Sequence, residues 1–90
     1  MSKVKTEKQL EFRRRVLEDL KPRLQWYNDC INIKIEFKTK DSFHLHVIED
    51  YITHLHVHGE LTEYGVSIFR TSTSTTQDVY NETMDFLNDY

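Results

Sequence analysis

Alanine is absent from this 90-residue chain, glycine occurs twice (Gly59, Gly65), and proline and cysteine occur once each (Pro22, Cys30). Each scarcity removes a class of protein. A single cysteine forms no internal disulfide and no all-thiolate zinc site. Two separated glycines leave no loop to cradle a phosphate and no dinucleotide fingerprint, and no G-x-S-x-G turn presents a serine nucleophile. No run of about 18 apolar residues exists to span a membrane. The opening MSKVKTEKQLEF holds no apolar stretch to act as a secretion signal. A net charge of −3 excludes a histone-like basic protein. The expectation is one small domain, 1–90, cytoplasmic and not enzymatic, with no cofactor and no membrane contact.

What is present falls into three stretches. Leu10, Val16, Leu17, Leu20, Leu24 and Tyr27 recur at three-, four- and seven-residue spacings, which predicts a helical segment over 1–29. Pro22 falls inside that pattern and should kink or restart the helix near Leu20 and Lys21. Trp26 and Tyr27 are expected to close the helix against the following sheet, with Cys30 a buried thiol at the junction. From Ile31 the period becomes two: Ile31, Ile33, Ile35 and Phe37, then Phe43, Leu45 and Val47, then Leu55 and Val57, then Val66 and Ile68. Short connections between these runs leave no room for parallel crossovers, so an antiparallel meander over 31–71 follows. The Thr/Ser run from Thr71 to Thr76 leads into a last helix over 76–89, with capping-box spacing at Ser74/Gln77 or Thr75/Asp78. Val79, Tyr80, Met84, Phe86, Leu87 and Tyr90 give it an apolar face. The fold class is α+β: helix, four-stranded antiparallel meander, helix, with both helices packed on one face of the sheet.

Face matching across the strands suggests a register. Phe37 opposes Phe43 and Ile35 opposes Leu45 across the first hairpin. Turning at Glu49-Asp50-Tyr51 opposes Leu45 to Leu55 and Val47 to Thr53. Turning near Thr62-Glu63 opposes Val57 to Ile68. The outer face then carries Glu36, His44, His56 and Phe69 in one row, with Lys34, His46, His54 and Thr71 beside it, and leaves Ile48, Ile52 and Phe69 exposed.

All five histidines fall in the runs HLH and HLHVH. In a strand, H-x-H places both imidazoles on one face, and cross-strand neighbours stand about 5 Å apart. Glu36, His44, His46, His54 and His56 are therefore a candidate metal set for zinc or another borderline ion, with Glu36 ligating or orienting a histidine. His44-x-His46 followed by Glu49 resembles the two-His, one-Glu ligand run of the cupins. The glutamate comes one residue early and the flanking glycines are missing, so no activity is carried over.

Charge is segregated along the chain. Residues 1–40 hold eleven of the twelve Lys and Arg against six acids, a net of +5, and residues 41–90 hold one against nine, a net of −8. Lys8, Arg13, Arg14, Arg15, Lys21 and Arg23 give the first helix a basic side, a candidate contact for RNA or DNA phosphates. The order helix–sheet–helix loosely resembles double-stranded-RNA-binding domains, whose glycine and lysine signals this chain lacks. Asp78, Glu82, Asp85 and Asp89 recur at four, three and four, an acidic stripe suited to a basic groove on a protein partner. Alanine, glycine and proline all use GC-rich codons, so the composition fits an AT-rich genome and resembles small phage-encoded accessory proteins. The leading expectation is a small non-enzymatic binding module that regulates or inhibits a larger protein, acting in the host cytoplasm if phage-encoded. A homodimer is expected as a plausible state; the alternative functions are RNA or DNA binding through the first helix and a metal-dependent enzyme or metal-binding protein using the histidines.

Overall fold

The computed structural model describes residues 7–90, so the first six positions of the expected helical segment lie outside the described residues. Helix α1 (Glu7–Arg15) passes through a π-helical turn (Val16–Leu20) into α2 (Lys21–Tyr27). Pro22 sits in the first turn of α2, and the Lys21 N–H donates to the Val16 carbonyl five residues back. Proline has no N–H for the carbonyl four residues earlier, and its ring would collide with it, so the turn before it widens.

The widened turn also explains which residues are buried. Phe12, Val16, Leu20 and Leu24 are fully buried, whereas Leu10, Leu17 and Tyr27 are exposed. A strict four-residue spacing drifts by about 40° per step on an ideal α-helix. One wider turn rotates the stripe back, and all four side chains meet the sheet. Trp26 does not close the helix: it is 81% exposed and stands edge-on to Tyr27. Cys30 is exposed rather than buried, in the turn where its N–H donates to the Asn28 Oδ1.

Strands β1 (Asn32–Phe37), β2 (Ser42–Glu49), β3 (Ile52–Thr62) and β4 (Gly65–Thr73) form one antiparallel sheet in sequential order. Helix α3 (Gln77–Asn88) follows. Thr76 is its N-cap, its hydroxyl accepting from the Val79 N–H, so neither expected capping box forms. Thr83 is buried among the apolar side chains because its hydroxyl donates to the Val79 carbonyl at 2.9 Å. One core joins the helical stripe to Val79, Phe86 and Leu87 and to the inward residues of the strands, including Ile33, Ile35, Phe43, Leu45, Leu55 and Val57. The helices cover one face of the sheet, and the other is left open.

The first hairpin has the expected register, with Phe37 opposite Phe43 and Ile35 opposite Leu45. The next two do not. Asp50 and Tyr51 close β2 to β3 as a two-residue turn with φ of 51° and 68°, and the register shifts at Val47/Ile48. His54 is the extra residue there, since Ile48 opposes Thr53 while Val47 opposes Leu55, and Leu45 then meets Val57. A second bulge makes Phe69 the extra residue of β4, because His58 opposes Arg70 and Gly59 opposes Ile68. Gly59 is required at this point: a Cβ there would stand 2.7 Å from the Ser67 carbonyl oxygen and 3.0 Å from Phe43 Cζ.

Candidate metal centre on the open face of the sheet

The two bulges set the composition of the open face. Its central rows read Glu36, His44, His58, Arg70 and Lys34, His46, His56, Ser72. The register inferred from pattern alone put His56 beside His44 and His54 beside His46. The two-residue slip replaces them with His58 and His56. Parity already placed all these histidines on one side, but nothing in the local sequence announces a bulge.

Four imidazoles stack across β2 and β3. Ring centroids are 4.3 Å apart for His44–His58, 4.7 Å for His46–His56 and 4.9 Å for His44–His56, with planes within 19° of parallel. Phe69 stands edge-on to His58 at 5.3 Å. His44 Nδ1 and His56 Nε2 are 2.7 Å apart, a hydrogen bond in which one ring donates and the other accepts. One nitrogen from each of His44, His46 and His56 lies within 4.8 Å of the other two. His54 stands apart, its Nδ1 3.2 Å from the Ser74 hydroxyl, on the wall of a shallow depression that His56 and Ser72 also line.

Glu36 occupies the margin of the cluster. One carboxylate oxygen is 3.7 Å from His46 Nε2, and Lys34 and Lys38 flank it at 3.4 and 3.9 Å. Lys34, chiefly, holds the Glu36 carboxyl below its ordinary range. The three clustered histidines are also shifted down. Burial is the main cause for each, reinforced by neighbouring His58 and His56 for His44, by His44 and Lys34 for His46, and by His46 and His58 for His56. Glu36 opposes the shift at His46. The shift favours the neutral imidazole in all three, the form that ligates metals.

The charged sets lie elsewhere, and the basic one is largely engaged within the chain. Arg14 is held between Glu11 (2.7 Å) and Glu18 (2.9 Å), and Arg15 reaches Asp19 at 3.7 Å while lying over the rings of Phe86 and Tyr90. Arg13 donates to the Ile35 carbonyl at 3.4 Å, Lys8 faces Asp41, and Arg23 faces Glu82. Lys21 is half-buried at the start of α2. On α3, Asp78, Asp85 and Asp89 are exposed, whereas Glu82 accepts from the Tyr27 hydroxyl at 3.2 Å and so ties α3 to α2.

Comparison with protein-family models, curated proteins and solved structures gives no match.

Proposed function

We propose that this chain is a small binding module whose working surface is the open face of the sheet, and that its ligand there is a zinc-like transition-metal ion held by His44, His46 and His56. The observation that carries this reading is the convergence of three imidazole nitrogens within 4.8 Å on adjacent strands. Zinc–nitrogen bonds of about 2.0–2.1 Å in a tetrahedron set ligand nitrogens about 3.4 Å apart. The widest separation therefore has to close by about 1.4 Å and the hydrogen-bonded pair has to open slightly.

Further support comes from the surroundings. The carboxylate of Glu36 beside His46 is the kind of partner that orients a ligating imidazole. A binding role fits better than catalysis, because metal-assisted chemistry needs a shaped, water-excluding cavity and this face is an open sheet. Nucleic-acid contact through the first helix has less to support it, since Arg14 and Arg15 are ion-paired with acids of their own helix.

Calorimetric titration of zinc into the metal-free protein tests the reading. One saturable site per chain is expected, abolished by His44→Ala, His46→Ala or His56→Ala and retained in His54→Ala. No saturable binding, or binding equally sensitive to His54→Ala, would overturn it.

A further inference from the structure

The three converging rings stand on the two central strands of the sheet, His44 and His46 on β2 and His56 on β3. All three rise from the open face. An ion they hold is therefore ligated from the sheet side only, and the fourth vertex of its tetrahedron points away from the protein. No other histidine or acid among the described residues converges with all three: Glu36 lies beside His46, and His58 beside His44.

The surroundings of this vertex are cationic. Lys34 opposes His46 in the register, and Arg70 opposes His58. Lys34 and Lys38 lie 3.4 and 3.9 Å from the Glu36 carboxylate. After burial and the neighbouring rings, positive charge reaches each ligand as well, from Lys38 at His44, from Lys34 at His46 and from Arg70 at His56. Against these three cations stand Glu36 and, opposite Ser42 in the next row, Glu60. Neutral imidazoles bring no charge of their own, so a bare divalent ion here meets an excess of positive charge.

We infer that the metal binds on this face together with a carboxylate, which takes the outward vertex through one oxygen and offers the other to the flanking cations. The inference rests on the metal reading and names the second ligand of that site. The anion offsets the charge that opposes the ion, and the ion strengthens the hold on the anion, so each raises the affinity of the other by the same factor. The face already shows this preference, since Glu36 gathers Lys34, Lys38 and His46 around one carboxylate. An imidazole or a water at the outward vertex would leave the positive charge uncompensated.

Zinc titrations of the whole chain in acetate and in perchlorate, at equal ionic strength and neutral pH, test the coupling. Affinity is expected to be about fivefold or more higher in acetate. With cobalt(II) as the probe, acetate should change the visible absorption spectrum saturably, which reports an anion on the metal. In the double variant Lys38→Gln, Arg70→Gln, zinc in perchlorate should bind more tightly than it does to the parent chain, and the gain from acetate should shrink. Sedimentation with zinc but no acetate identifies the source of the carboxylate: a monomer leaves the vertex to a diffusing anion, and a dimer that acetate dissolves assigns it to a side chain of a second copy. One equivalent of zinc bound with equal affinity in both salts, with a cobalt spectrum indifferent to acetate, would overturn this inference and leave the metal site standing. No zinc binding in either salt would overturn both.

Discussion

Tyr51 occupies a backbone conformation that suits it poorly. Its φ of 68° follows one of 51° at Asp50, the pattern of a type I′ turn, in which glycine is favoured at the second position. A short aspartate tolerates the left-handed region, whereas a bulky side chain is disfavoured there by about 1 kcal/mol or more. The Tyr51 side chain is fully exposed and contributes no packing. Tyr51→Gly should accordingly raise unfolding stability by about 1 kcal/mol, seen as a higher urea midpoint with an unchanged slope. Gly59→Ala should act in the opposite sense. Its methyl group would press on the Ser67 carbonyl and the Phe43 ring, at a cost of about 1–3 kcal/mol. At the histidine cluster, Glu36→Gln keeps the shape but removes the charge beside His46, and zinc affinity should fall by about tenfold or more. An unchanged calorimetric affinity would show that Glu36 serves only Lys34 and Lys38.

At the scale of elements, the restart at Pro22, the antiparallel meander and the last helix were all legible as periodicity. The buried stripe of the first segment was legible only in part: Val16, Leu20 and Leu24 belong to the apolar pattern, Phe12 does not, and Leu10, Leu17 and Tyr27 are exposed. Phe12, Val16, Leu20 and Leu24 share a face only because the π-turn resets the helix phase, and a fixed 3.6-residue period favours Leu10 and Leu17 instead. The bulges at His54 and Phe69 were equally silent, because an extra residue leaves the apolar–polar alternation on each side intact. That is why the histidine face was foreseen while its neighbours were not, and why His58 was missed. Helix α3 offers a test of charge placement. Asp85 and Asp89 lie at its C-terminal end, where the helix dipole disfavours carboxylates. Replacing both with Asn should hold or raise the thermal midpoint at low salt, through a stability gain of up to about 0.3–1 kcal/mol per site. A clear loss of stability would mean that these carboxylates make a structural contribution.

For the whole molecule, the lowered proton affinity of the clustered histidines links stability to pH. Below the ordinary histidine value of 6.5, the unfolded chain takes up protons that His44, His46 and His56 resist in the folded sheet. The unfolded state then binds more protons, so stability falls as pH drops from 6.5 through the lowered folded values, and these groups contribute no slope above that window. Thermal unfolding of the metal-free chain should show a midpoint steady near neutrality that declines in this acid range. The decline should be smaller in a variant with His44, His46 and His56 all replaced by Gln.

The proposed metal role is tested most directly by following the histidine ring nitrogens during a zinc titration by NMR at neutral pH. The account predicts that His44, His46 and His56 shift together and reach a limit at one equivalent of zinc. His54 should keep its free-state signals, because its ring faces Ser74 rather than the cluster. Five histidines drifting in parallel without a limit, or a response led by His54, would contradict it.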